Sequence, residues 1–276
     1  MTANRTQLSF TSADGTPLSA HRWSPEGSAK AALLVIHGYA DHAERYREIA
    51  IAMADLGIDT TAVDMRGHGR SAGQRGYINA FSEYHADVEA ARTAMASGEL
   101  PFFVLGHSNG GLIALDWVSQ NHPQLRGLVV TNPYVARGMH VPLVKLAAGH
   151  VLGRLVPHLS IPSGIDPAGL THETKFVEAY RRDPQVFTTA SAGWFREATR
   201  AQYRVMHLRN LESPLFYVHS DSDPIASPSA NAELAAKLKS PDKTILVRRG
   251  ELHEVLNETD RKGLFQQIGS WILKRS

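Results

Sequence analysis

The sequence predicts an α/β fold: a mostly parallel central sheet flanked by helices, with an inserted, mainly helical segment. Three observations carry this reading. Short apolar runs alternate with longer amphipathic stretches at the spacing of β–α–β crossovers. One of those runs passes directly into a glycine-rich turn that opens a helix. The alternation lapses between about residues 135 and 211 and then resumes.

Taken in order, QLSF and LSAHRW flank the turn signal Ala13-Asp14-Gly15-Thr16, which predicts an opening antiparallel pair. Ala31 to His37 is a continuous apolar run of the kind a strand buried on both faces shows. Glu44 to Leu56 reads as a helix closed by Gly57, and Ile58 to Val63 as a strand entering the small-residue loop Asp64 to Ser71. A helix over Phe81 to Ser97, the strand FFVLG, a helix over Gly110 to Gln120 and the strand LRGLVVTN follow. Residues 1–134 are thus the first part of the sheet domain. In 135–211, Pro142, Pro157, Pro162 and Pro167 punctuate apolar helical pieces and strand signals disappear, as expected of a helical cap. Residues 212–276 complete the sheet domain with LFYVH, a helix from about Pro228 to Lys239, a strand over Thr244 to Val247 and a last helix over Asp260 to Leu273.

Composition narrows the function. With 29 Lys and Arg against 27 Asp and Glu, the net charge of +2 is too small and too scattered for a phosphate-tracking surface, so no nucleic-acid partner is expected. The absence of cysteine excludes disulfides, thiolate metal sites and a cysteine nucleophile. The opening residues have no apolar core of a signal peptide and no run reaches the length of a membrane span, which leads to the expectation of a cytoplasmic protein. Neither HExxH nor a Walker loop is present, and no cofactor or metal is expected.

The strongest chemical signal is Gly106-His107-Ser108-Asn109-Gly110, a GxSxG placed between a buried strand and a helix. Small residues at 106 and 110 allow a turn sharp enough to lift the Ser108 hydroxyl clear of the sheet. A hydroxyl needs a base, and the base an acid to fix its tautomer. Of the 14 histidines, His253 stands in a loop after the last predicted strand, and Ser220-Asp221-Ser222-Asp223-Pro224 follows the preceding one. Asp223 is the preferred acid and Asp221 its local rival. His219 reads as a packed strand residue, and His37, His42, His68 and His107 as hydrogen-bonding residues near the active edge. The main-chain amides of Tyr39, after the first long parallel strand, and of Asn109 are the expected oxyanion donors.

These motifs, with HGYADHAERY (37–46), DMRGHGRS (64–71), GHSNGG (106–111), PLFYVHSDSD (214–223) and GELHEV (250–255), resemble the monoacylglycerol lipases and lysophospholipases of the α/β-hydrolase fold, in a grouping that includes serine aminopeptidases. The resemblance implies Ser108 as nucleophile, Asp223 rather than Asp221 as acid, His253 as base, and Tyr39 and Asn109 as oxyanion donors. It implies that Arg45 lies near the polar end of an acyl-glycerol site. Two positions depart from the pattern: Asn109, where these lipases usually carry Met, and Ser220, where the acid loop usually begins with Gly. The first cap helix is apolar around most of its circumference and interrupted only by Lys145 and His150, so Val144, Ala148 and Val151 are expected to line an acyl tunnel. The implied reaction is hydrolysis of a small amphipathic ester, monoacylglycerol first, by a monomer or homodimer whose cap touches micelles or membranes transiently. The alternatives are a lysophospholipase or short-chain carboxylesterase, a serine aminopeptidase, and a noncatalytic binding protein of the same fold.

Overall fold

The computed structural model describes residues 3–121, 124–138, 149 and 151–276. Its centre is an eight-stranded sheet of β1 (Asn4–Thr11), β2 (Pro17–Ser24), β3 (Ala31–Ile36), β4 (Ile58–Asp64), β5 (Phe102–His107), β6 (Gly127–Thr131), β9 (Leu215–Ser220) and β10 (Lys243–Arg248), in the order β1-β2-β4-β3-β5-β6-β9-β10. The pairs β1–β2 and β2–β4 are antiparallel and every other pair is parallel. All parallel strands therefore end on one edge, and the loops leaving that edge converge.

Why β3 sits at the centre is written in its side chains. Ala32, Leu34 and Ile36 enter one core together with α2 (Ser82–Ala94) and α3 (Asn109–Asn121), through Val88, Leu112 and Trp117. Ala31, Leu33 and Val35 enter the other core, against Ile49 and Met53 of α1 (Arg47–Asp55) and Leu264 and Ile268 of the last helix, α7 (Arg261–Leu273). Period-two alternation with both faces buried leaves no polar position, which is why the run reads as continuously apolar.

β6 and β9 are neighbours in the sheet although residues 132–214 lie between them. That excursion carries α4 (Thr174–Arg182), α5 (Ala192–His207) and a separate antiparallel pair, β7 (Ser160–Pro162) with β8 (Thr189–Ser191). The pair corrects the expectation that strands are absent here: three residues are too few for an alternating pattern to register. Ser191 ends β8 and caps α5, its hydroxyl accepting from the Trp194 amide at 3.1 Å. On the sheet side, α6 (Pro228–Lys237) follows β9 as predicted. Among the described residues no helix is long and apolar enough to cross a membrane.

Candidate active site

Ser108 stands between β5 and α3 at φ +53°, a left-handed backbone that a non-glycine residue adopts only when its surroundings enforce it. The enforcement is steric. A Cβ on Gly106 would lie 2.4 Å from the Gly110 carbonyl oxygen, and one on Gly110 would lie 2.1 Å from that of Ile36. The strand, the turn and the helix thus approach more closely than alanine permits. The Ser108 amide donates to the Thr131 carbonyl at 3.0 Å, and its own carbonyl accepts from Leu112 and Tyr134, at 3.0 and 2.9 Å.

The loops after β9 and β10 bring two further groups to this hydroxyl. Ser108 Oγ lies 2.8 Å from His253 Nε2, and His253 Nδ1 lies 2.7 Å from Asp223 Oδ2. The other oxygen of Asp223 accepts from the Ile225 and Ala226 amides at 2.8 and 2.9 Å. All three residues are buried. Burial raises the Asp223 carboxyl, but the charge and hydrogen bond of His253 and the two amides outweigh it, leaving it below its ordinary value. Burial likewise lowers His253, and the attraction of Asp223 outweighs it, so the imidazole stands above its ordinary value. Asp221 is on the surface, where it accepts from the Gly250 amide at 2.7 Å and from the Ser222 hydroxyl at 3.0 Å. It is a turn residue, and the carboxylate that meets His253 is that of Asp223.

Gly38 brings the loop after β3 against the turn: a Cβ there would be 3.3 Å from Ser108 Cβ. Tyr39 follows, its ring packed on Trp194 with centroids 3.8 Å apart. Its hydroxyl lies 3.1 Å from the carbonyls of both Gly76 and Thr189, and the Gly76 carbonyl also accepts from the Ser191 hydroxyl at 2.7 Å. Asn109 is buried, with no hydrogen-bond partner for its Oδ1 among the described residues. His37, His68 and His107 are buried among loop partners. Burial and the neighbouring His253 push His107 down to about 4, and burial and His37 push His68 down to about 3, so both stay neutral.

Ser108 and His253 open into a cavity of about 320 Å³ with mostly apolar walls, among them Leu152, Leu159, Ile161, Leu170 and Trp194. That volume is at the lower end of small-ligand sites. Its polar positions include Asp41, Tyr134, Arg137, Ser163, Ser191 and Glu254.

The sequence profile of the family described as "Serine aminopeptidase, S33" matches residues 27–260. The chain belongs to this family. It is 31% identical, over 95% of its length, to an abhydrolase domain-containing protein of Dictyostelium discoideum, of which it spans only 28%. It is 30% identical to a monoacylglycerol lipase of Mycolicibacterium smegmatis across 99% of both chains. The crystal structure of a Paleococcus ferrophilus monoacylglycerol lipase matches it with a TM-score of 0.84 and 24% identity, covering 100% of each chain. The fold is that of the α/β-hydrolases.

Within this S33 member, two expectations about the pocket turn out differently. Arg45 does not line the cavity: its guanidinium is buried beside it, donating to Asp41 at 2.9 Å and to both oxygens of Glu254 at 2.9 and 2.8 Å, and lying 4.9 Å from the Tyr180 ring centroid. The motif placed it in the right loop, but two buried carboxylates claim its charge. Val151 is 56% exposed, and it is Leu152, one residue on, that reaches the cavity, because successive helical positions face about 100° apart. Val144 and Ala148 lie outside the described residues.

Sequence reasoning missed Asn132, directly after β6. Its Oδ1 accepts from the Ser220 amide at 2.6 Å, and its Nδ2 donates to the His253 carbonyl at 2.6 Å. One buried side chain thus ties the loop that bears the acid to the loop that bears the histidine. Its φ of +42° and the Asn-Pro pair after a strand were the available signal. Ser220, one of the two departures from the family pattern, joins the same loops through its hydroxyl, which donates to the Glu251 carbonyl.

Proposed function

We propose that the protein hydrolyses carboxylic esters of lipids, monoacylglycerol to fatty acid and glycerol foremost, through an acyl-enzyme on Ser108. The observation that carries this reading is the unbroken hydrogen-bonded series Ser108, His253, Asp223 opening into an apolar cavity. The identity with a monoacylglycerol lipase over the whole chain supports the substrate class.

In this mechanism His253 Nε2 takes the Ser108 proton as Oγ attacks the ester carbonyl. Asp223 holds the Nδ1–H tautomer and stabilises the imidazolium. The amides of Tyr39 and Asn109 receive the oxyanion, a role supported by the contact of Gly38 with Ser108 and by the position of Asn109 at the start of α3. His253 then protonates the leaving alcohol, and water repeats the cycle on the acyl-enzyme. Residues 135–211 act as the cap, and their exposed Leu159 and Ile161, which also line the cavity, give it an apolar rim suited to a micelle or membrane surface.

A second reading, cleavage of an N-terminal residue, is favoured by one observation. Asp41 and Glu254 both line the cavity, and the one cation that they share, Arg45, stands outside it, so a substrate ammonium could meet two carboxylates there. Wild type and S108A compared on monoacylglycerols of graded chain length, lysophosphatidylcholine, short p-nitrophenyl esters and an aminoacyl anilide separate the two. Ester hydrolysis lost in S108A, with Ser108 labelled by a serine-directed phosphonate, is the expected result. Dominant anilide cleavage would replace the lipase reading with the peptidase one.

A further inference from the structure

Arg137 is the one cation that lines the cavity among the described residues, and no carboxylate answers it. It takes part in none of the ion pairs of the described residues, and residues 1–2, 122–123, 139–148 and 150, which lie outside them, contain no Asp or Glu. The two acidic residues of the wall, Asp41 and Glu254, are already bound by Arg45. The Arg137 guanidinium lies over the face of Phe195, 5.1 Å from its centroid, and is partly buried.

Its backbone is fixed to the catalytic loops. Arg137 forms an antiparallel bridge with Ala226, the Gly138 amide donates to the Ile225 carbonyl at 2.8 Å, and the Ser227 amide donates to the Ala136 carbonyl at 2.9 Å. Ile225 and Ala226 are the residues whose amides hold Asp223. Three residues earlier, Tyr134, also in the cavity wall, donates its amide to the Ser108 carbonyl. The Arg137 side chain therefore leaves a segment held in register with both the nucleophile and the acid, and an unanswered guanidinium beside an apolar wall calls for an oxyanion partner.

We propose that Arg137 is a specificity-determining residue which selects ester substrates bearing an anionic oxyacid group, a phosphate or a carboxylate, over their neutral counterparts. This rests on the ester-hydrolase reading and, within it, moves the preferred substrate from neutral monoacylglycerol to an anionic relative. Arg137 and Phe195 both line the cavity, 5.1 Å apart from guanidinium carbon to ring centroid, and a guanidinium carries the forked N–H donors that two oxygens of one oxyacid group accept.

The test uses three octanoyl-scale esters kept below their micelle-forming concentrations: 1-octanoylglycerol, 1-octanoyl-glycerol-3-phosphate, and a monoester of a dicarboxylic acid of similar length. The second carries the anion on the head group and the third at the far end of the acyl chain, so the favoured one identifies the source. Wild type is expected to prefer one anionic ester in kcat/KM, through KM. In R137Q the ratio of anionic to neutral turnover should fall about 10- to 100-fold. R137K should recover part of the ratio and R137E should invert it. Equal turnover of charged and neutral esters by wild type, or equal losses on both in R137Q, would overturn the proposal while leaving the hydrolase reading intact. Failure of wild type to cleave any ester, with no phosphonate label on Ser108, would remove both.

Discussion

Arg45 and Glu254 form a two-pronged ion pair, at 2.9 and 2.8 Å, that fastens the residue next to His253 to the loop after β3. Both side chains are nearly buried, so neither charge is answered by water. Removing one partner leaves the other desolvated. E254Q should therefore lose about 2–3 kcal/mol of unfolding free energy, less than a fully isolated buried pair because Arg45 keeps Asp41. Urea denaturation measures it, and a change within experimental error would show that the pair stabilises little.

The two aspartates of the acid loop separate cleanly by mutation. D223N removes the acceptor of His253 Nδ1–H and should lower kcat by about a thousand- to ten-thousand-fold with the fold retained. D221N, at a surface turn, should leave kcat within about threefold of wild type. Comparable losses in both variants would remove Asp223 from its assigned role.

Activity requires neutral His253, whose proton affinity is raised above the ordinary 6.5. The acid limb of kcat/KM should accordingly have its midpoint above pH 6.5 and shift downward in D223N. Stability runs the other way for this group. A raised folded-state value contributes stability that is complete below the unfolded value and is lost as pH rises through the folded one. Asp223, lowered in the fold, contributes stability above its unfolded value and loses it as pH falls through its folded one. The pair titrates as a unit, and a wild-type acid limb below pH 6.5 would contradict the coupling.

The left-handed backbone of Ser108 predicts a difference between two inactive variants. Both S108A and S108G lack the nucleophile, yet only glycine adopts φ +53° without cost, so S108G should be about 1 kcal/mol more stable than S108A. Thermal or urea unfolding decides this. Alanine matching or exceeding glycine would mean that the turn is unstrained.

Loss of the Ser220 hydroxyl should be felt in kcat more than in KM. S220A would free the β9 loop from the Glu251 carbonyl and from its 3.1 Å contact with the Ser222 amide, loosening Asp223 relative to His253. A several-fold fall in kcat at unchanged substrate affinity is expected. A pure KM effect would place Ser220 in substrate contact instead.

The strands and the Ser108 turn were legible in the chain because their causes are local. Gly106 and Gly110 exclude side chains for steric reasons visible in five residues, and Ala31 to Ile36 are apolar because both faces of β3 are covered. The choice between Asp221 and Asp223 was not local. It depends on which carboxylate the turn at Pro224 directs inward to the Ile225 and Ala226 amides. Asn132 was invisible for a stronger reason: its partners Ser220 and His253 lie 88 and 121 positions away along the chain. Arg45 shows the reverse error, a motif residue whose place was legible but whose charge is consumed by neighbours that no pattern reveals. β7 and β8 are held by each other, with no periodicity of their own.

The carbonyl of Gly76 gathers two hydroxyls, from Tyr39 below the cavity and from Ser191 at the junction of β8 and α5. A Cβ at Gly76 would stand 2.1 Å from the Tyr39 hydroxyl oxygen, so the latch tolerates no thickening. The inserted segment and the floor of the catalytic cleft are thus joined through one carbonyl oxygen.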